Sequence, residues 1–245
     1  MKITSFINHK GGVGKTTLSY NYTHHLAKKK KVLFLDLDPQ MAASFLFDNF
    51  DDEAYVGRVF EGQNVVPAEV AKNIFLINSG KNLKLVNAGD EFRNKLHQQL
   101  SFKKYLDSVK NSYDYCIIDT PPTINVLLQH VIMLSDFCVI PLQTEILPVL
   151  GLESINTLIH EITTASGAAR RYFITVNMFA RGTTIQNKIL AELRARYPHE
   201  VLDTQIRRSI AVVEAQNNRV PISALNKPVA EDFRLMFKEL ENKCN

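Results

Sequence analysis

Cysteine is scarce in this chain. Its three copies, Cys116, Cys138 and Cys244, have no short paired spacing, which argues against a disulfide framework and against a zinc or iron–sulfur centre built from grouped thiolates. A reducing cytoplasm is the expected setting. Long apolar runs are missing too, since no uncharged stretch reaches the roughly 18 residues of a membrane span. The opening MKITSFINHKGG has no apolar core ahead of a small-residue cleavage site, so neither export nor anchoring is expected. Nor does charge of one sign prevail. The 29 Lys and Arg against 25 Asp and Glu leave a formal +4, which permits a polyanionic partner only where cations cluster. No repeat, low-complexity tract or linker divides the chain. Its 45% hydrophobic and 22% charged residues over 245 positions are those of a folded protein, and a single domain spanning 1–245 is expected.

Short β-branched and aromatic runs alternate with longer segments of helical period, the pattern of repeated βα units around a parallel sheet. Strands are predicted at Ile3–Asn8, Val32–Asp38, Ile74–Asn78, Tyr115–Asp119, Phe137–Leu142 and Tyr172–Asn177, with a shorter one at Val201–Thr204. Helices are predicted to begin near Lys15, Asp90, Ile124, Leu152, Thr184, Ile210 and Val229. The stretch Phe47–Lys72 has an acidic start and no strong period, and reads as loop and short helix. The fold class is therefore α/β, a mostly parallel twisted sheet flanked by helices in three layers.

Chemistry concentrates where the first strand meets the first helix, at His9-Lys10-Gly11-Gly12-Val13-Gly14-Lys15-Thr16-Thr17. Glycines let successive N–H groups turn toward phosphate oxygens, and the helix N-terminus adds positive potential. Lys15 would reach the β- and γ-phosphates, and the Thr16 hydroxyl would ligate magnesium. The strict phosphate-loop pattern fails at one place, because His9 stands where its first glycine belongs and an additional lysine follows at position 10. A second motif, Asp36-Leu37-Asp38-Pro39-Gln40, ends the second strand, where alternation sets both carboxylates on one face at the sheet edge. A third, Ile117-Ile118-Asp119-Thr120-Pro121-Pro122, is an apolar strand ending in a carboxylate.

The run Lys10–Thr17, KGGVGKTT, resembles the deviant Walker A motif of the ParA/MinD family of ATPases letter for letter. DxDPQ at Asp36–Gln40 looks like that family's A′ motif, and the segment through Asp119 like its Walker B with the DTPP switch. The resemblance implies a P-loop NTPase fold binding ATP and Mg2+ through Lys10, Gly11, Gly12, Val13, Gly14, Lys15, Thr16 and Thr17. It also implies an ATP-dependent homodimer, in which Lys10 crosses to the other subunit's phosphates as an arginine finger would. Asp38 would orient or activate the attacking water, Asp36 would support magnesium, and Asp119 would hold a magnesium-bound water. A shift at Thr120 would be passed to the segment from Thr123 onward. Val139–Glu145, followed by Gly151-Leu152, is similar to a fourth signature, with Gln143 and Glu145 near the dimer contact or in an ordinary loop. The family places adenine contacts at positions matching Asn177-Met178-Phe179 and a segment near Thr204–Arg208.

Among the branches of that family, the membrane-binding one carries a basic amphipathic tail. Here the last predicted helix spaces Phe233, Met236, Phe237 and Leu240 to pack on a core, with Glu231, Asp232, Glu239 and Glu241 among its other faces. The iron–sulfur branch needs cluster cysteines, whereas Cys116 and Cys138 fall inside apolar strands. The chain most resembles the short plasmid and chromosome partitioning branch, since too few residues precede the phosphate loop for a helix-turn-helix. That resemblance implies an ATPase whose ATP-bound dimer binds DNA non-specifically on the nucleoid. A centromere-binding partner of the ParB type would stimulate its slow hydrolysis and release it. Basic residues gather in the C-terminal third, and Arg207, Arg208, Arg219 and Arg181 are the candidate DNA contacts. Lys28–Lys31 reads as a helix end complementing its dipole. His24 and His25 are adjacent on a helix and cannot share a metal through one face. The alternative reading is a nucleotide-switched positioning or scaffold ATPase that recruits a protein complex without DNA.

Overall fold

A computed structural model describes residues 1–80, 92–144, 146–167, 171–180, 182 and 184–244. Eight strands form one sheet: β1 (Lys2–Phe6), β2 (Val32–Asp36), β3 (Ala68–Ala71), β4 (Ile74–Ile77), β5 (Tyr115–Asp119), β6 (Phe137–Leu142), β7 (Arg171–Phe179) and β8 (Val201–Arg207). Their spatial order is β3-β4-β2-β5-β1-β6-β7-β8. All neighbours run parallel except β3, which pairs antiparallel with β4 at one edge. The order reverses direction between β5, β1 and β6, so the carboxyl end of β1 opens at the switch point where open α/β sheets bind ligands.

Strand alternation divides the core in two. Phe34, Ile117, Val139 and Phe173 face one side, where α1 (Lys15–Leu26), α2 (Ala42–Leu46), α8 (Ile210–Asn217) and α9 (Pro228–Cys244) cover them. Their chain neighbours Leu35, Cys116, Ile118, Ile140 and Ile174 face the other side. That side is covered by α3 (Val56–Phe60), α4 (Phe92–Val109), α5 (Val126–Leu134), α6 (Ile146–Ser166) and α7 (Thr184–Arg196). The three layers follow from strands apolar on both faces, each buried Leu, Ile or Phe contributing about 1.5–3 kcal/mol. No helix among the described residues is long and apolar enough to cross a membrane.

The six main strands and the seventh are all present, Tyr115–Asp119 and Phe137–Leu142 with the predicted bounds and the other five with shifted ends. Pairing of β1 stops at Phe6 and that of β2 at Asp36, short of the predicted Asn8 and Asp38. The Ile7 N–H still donates to the Val139 carbonyl at 3.0 Å, and the Leu37 N–H to Asp119 at 2.9 Å. The chain thus runs beyond both strands to the sheet's carboxyl edge. β7 and β8 are longer than expected because parallel pairing with a neighbour carries them on to Phe179 and Arg207. The helix predicted from Leu152 starts at Ile146, since Pro148 in a first turn sacrifices an N–H that has no helical partner there. The helix predicted near Asp90 is described from Phe92; Asp90 itself lies outside the described residues. Within Phe47–Lys72 the expected loop and short helix are joined by β3, whose Ala-Glu-Val-Ala is half-exposed. A four-residue edge strand with a bulge carries almost no periodic signal.

α9 buries Phe233, Met236, Phe237 and Leu240 as its spacing predicts, but Asp232 is buried with them instead of lying on a solvent face. Arg207 on β8 explains this.

Candidate active site

The loop between β1 and α1 carries the glycines of the expected phosphate loop. Gly14 caps α1 with φ 97° and no side-chain cap, and Gly12 is also left-handed at φ 75°. The first turn of α1 therefore keeps its N–H groups for an external acceptor. Gly14 is required for a second reason, since a Cβ there would sit 2.3 Å from Asn177 Nδ2.

Lys15 is 6% exposed, and its Nζ lies 3.4 Å from the Lys10 carbonyl. Burial lowers its pKa, opposed by the carboxylates of Asp119 and Asp38. The Thr16 hydroxyl donates to Asp119 Oδ2 at 2.6 Å. Asp119 is fully buried, and its Oδ1 has no hydrogen-bond partner among the described residues. Burial pushes its pKa up, reinforced by Asp36 and opposed by Thr16 and Lys15. A buried carboxylate with an orphaned oxygen, beside a threonine hydroxyl, fits a divalent cation or its water ligand. Among the described residues no group of three or more His, Cys, Asp or Glu could hold a metal. Magnesium here would depend on Thr16, phosphate oxygens and water.

Asp36 is fully buried, and both of its oxygens are used inside the protein. Asp36 Oδ1 accepts from the Asp38 N–H at 3.1 Å, and its Oδ2 accepts from Ser44 N and Oγ at 2.9 and 2.7 Å. Burial raises Asp36 to about 6 against those hydrogen bonds. Asp36 thus organises the turn that delivers Asp38, whose Oδ1 accepts from Gln40 N at 2.9 Å. Thr120 Oγ1 donates to the Phe6 carbonyl at 2.8 Å, fixing the start of the Pro121-Pro122 segment to β1. Asn177 and Met178 lie against the loop, Asn177 Nδ2 donating to the Val13 carbonyl at 2.8 Å. Three residues carried no motif signal: Ser44 behind Asp36, Asn8, which accepts from Lys10 N at 2.9 Å, and Gln216, which donates to Thr17 Oγ1 at 3.0 Å.

Two of the candidate DNA arginines are engaged by carboxylates. Arg207 forks onto Asp232, with Nε to Oδ2 at 2.5 Å and Nη2 to Oδ1 at 2.7 Å. Its charge is compensated by a buried carboxylate. Arg219 pairs with Asp48 and lies 4.3 Å over the Phe45 ring. Arg208 is exposed. Arg181 and Glu145 lie outside the described residues.

An AAA domain family model (AAA_31) matches residues 1–170. The sporulation initiation inhibitor protein Soj of Bacillus subtilis (strain 168) is 31% identical over 232 residues, covering 90% of both chains. The chain belongs to the ParA/Soj family of partition ATPases. A virulence plasmid ParA family protein of Chlamydia psittaci is 28% identical over 256 residues, covering 99% of this chain and 95% of its own. A plasmid partition protein from Borrelia burgdorferi B31, solved bound to AMPPNP, superposes with a TM-score of 0.86 at 21% identity over 99% of both chains. That likeness establishes the P-loop NTPase fold of this ParA-family chain.

Proposed function

We propose that this ParA-family ATPase hydrolyses ATP to ADP and phosphate as a slow, partner-stimulated switch that partitions a plasmid or chromosome. The observation that carries the chemistry is the Thr16–Asp119 pair, with its orphaned Oδ1 and buried Lys15 at the mouth of the glycine loop. Bound magnesium would neutralise charge on the β- and γ-phosphate oxygens. The N–H groups of Gly11–Thr17 would cradle those phosphates, Lys15 would neutralise them, and Thr16 and Asp119 would hold the cation. Asp36 supports this from behind by fixing Asp38, which orients the attacking water. Lys10 acts in the other subunit of an ATP-dependent sandwich dimer. Asn177 and Met178 line the side of the loop where adenine would lie.

The same reading has the ATP dimer coat nucleoid DNA without sequence preference, until a ParB-type centromere-binding protein stimulates hydrolysis. Arg208 leads the proposed DNA contacts, and Arg181 is retained as a further candidate. Arg207 and Arg219 keep about a third of their side chains exposed and would contribute more weakly, because each already answers a carboxylate. The test is binding to random-sequence duplex DNA with no nucleotide, with ADP, and with ATP plus magnesium, across a salt series. Expected is ATP-selective binding that weakens steeply with salt and is lost in Arg208→Glu. Dimerisation on ATP without DNA binding would replace this reading with the protein-recruiting switch.

A further inference from the structure

Two amide side chains from neighbouring strands reach the phosphate loop. Asn177, within β7 and 4% exposed, donates from Nδ2 to the Val13 carbonyl at 2.8 Å, and its Oδ1 accepts from the Met178 N–H at 2.9 Å. Gln143, just beyond β6, donates from Nε2 to the Gly12 carbonyl at 3.3 Å and lies 2.9 Å from Met178 Sδ. Both carbonyls belong to the segment whose N–H groups must converge on a phosphate.

A loop that turns its N–H groups inward must turn the intervening carbonyls outward. Here Gly12 and Gly14 are both left-handed, and the Val13 carbonyl between them is directed to the Asn177 amide. Val13 is itself buried, so that carbonyl depends on the amide. Without it, the peptide gains by rotating toward another donor, which takes the following N–H out of the cradle. The approach is close enough that Gly14 has no room for a Cβ beside Nδ2. Asn177 is in turn fixed at its other end, because its Oδ1 holds the N–H of Met178, a left-handed non-glycine residue at φ 54°. One of the two Nδ2 hydrogens and the Oδ1 are thus each used inside the protein.

We propose that Asn177 and Gln143 are positioning residues that hold the phosphate loop's carbonyls outward, and that Asn177 serves the phosphates instead of reading the base. The proposal rests on the phosphate-site reading above and narrows the adenine side to Met178, whose Cε lies 4.0 Å from the Gly14 Cβ position.

Asn177→Asp keeps the size and the acceptor for Met178 but sets a carboxylate oxygen against the Val13 carbonyl. Affinities for ATP, GTP and inorganic tripolyphosphate, each with magnesium, are measured by calorimetry alongside nucleotide-free melting. All three affinities should fall by one common factor of about 10- to 100-fold, as for a buried carbonyl losing its donor, leaving the ATP-to-GTP ratio unchanged. Loss of ATP affinity with GTP and tripolyphosphate retained would make Asn177 a base reader and overturn the proposal. Unchanged affinity for all three would overturn it as well. Gln143→Leu, at a half-buried position, gives an independent reading if Asn177→Asp does not fold. It should lower tripolyphosphate and ATP affinity together, by about 10-fold or less, and unchanged affinity would overturn the shared role. Failure of the unaltered chain to bind any of the three ligands would instead overturn the phosphate-site reading, and this proposal with it.

Discussion

Asp119 and Asp232 are both buried aspartates, yet the structure treats them oppositely. Asp232 meets both of its oxygens with the Arg207 fork and takes the Arg207 N–H as well. Asp119 answers Thr16 with one oxygen and leaves the other without a partner among the described residues. A charge completed inside the protein joins β8 to α9 and contributes to stability. One left incomplete costs stability, and it persists where an external cation can complete it. Arginines in a basic run and aspartates at strand ends look alike in the sequence. The partner decides which are structural and which are functional.

Breaking that contrast at the proposed catalytic end should give the largest effects. Lys15→Ala should abolish ATP binding or productive dimerisation, read by calorimetry and light scattering with ATP. Asp119→Asn should lower magnesium-dependent hydrolysis by about 100-fold or more without lowering the nucleotide-free melting temperature, since the variant no longer buries a carboxylate. A clear loss of stability would mean that Asp119 is structural, as Asp232 is. Asp38→Ala should leave an ATP-bound dimer that hydrolyses poorly, and partner-stimulated turnover at the original rate would remove Asp38 from its assigned role.

At the structural end the effects reverse. Asp232→Asn should cost about 1–3 kcal/mol in urea unfolding, less than a fully buried pair because the Arg207 side chain is 32% exposed. ATP affinity should be unchanged in that variant. The smallest expected effect concerns His24, whose Nε2 is buried without a partner among the described residues, with its ring 4.6 Å from Tyr20 and 5.8 Å from Phe47. Burial holds its pKa down from 6.5 to about 4. The unfolded chain therefore takes up a proton on this ring first, and stability drains away as pH falls from 6.5 toward 4. His24→Phe should gain on the unaltered protein at pH 5 and lose most of that advantage by pH 7.5, read as the shift in urea midpoint.

Local backbone chemistry made the phosphate loop readable. Gly12, Gly14, Lys15 and Thr16 fall within five consecutive residues, and their geometry follows from glycine conformations and a helix start, which neighbouring residues dictate. The strands were readable because runs apolar on both faces can only be central strands. Their ends were not, because pairing with a neighbour, not composition, stops β2 at Asp36 and carries β8 to Arg207. The edge strand β3 escaped for the same reason.

A parallel α/β sheet, the glycine loop at Lys10–Thr17 and the carboxylates Asp36 and Asp119 at the ends of β2 and β5 were legible in the residues alone. It took the folded chain to show that Asp36 is spent on Ser44, that Arg207 is spent on Asp232, and that Asn177 serves Val13 from far along the chain. Each of these is a hydrogen bond between side chains or carbonyls that packing brings together. No local propensity encodes which buried donor meets which buried acceptor.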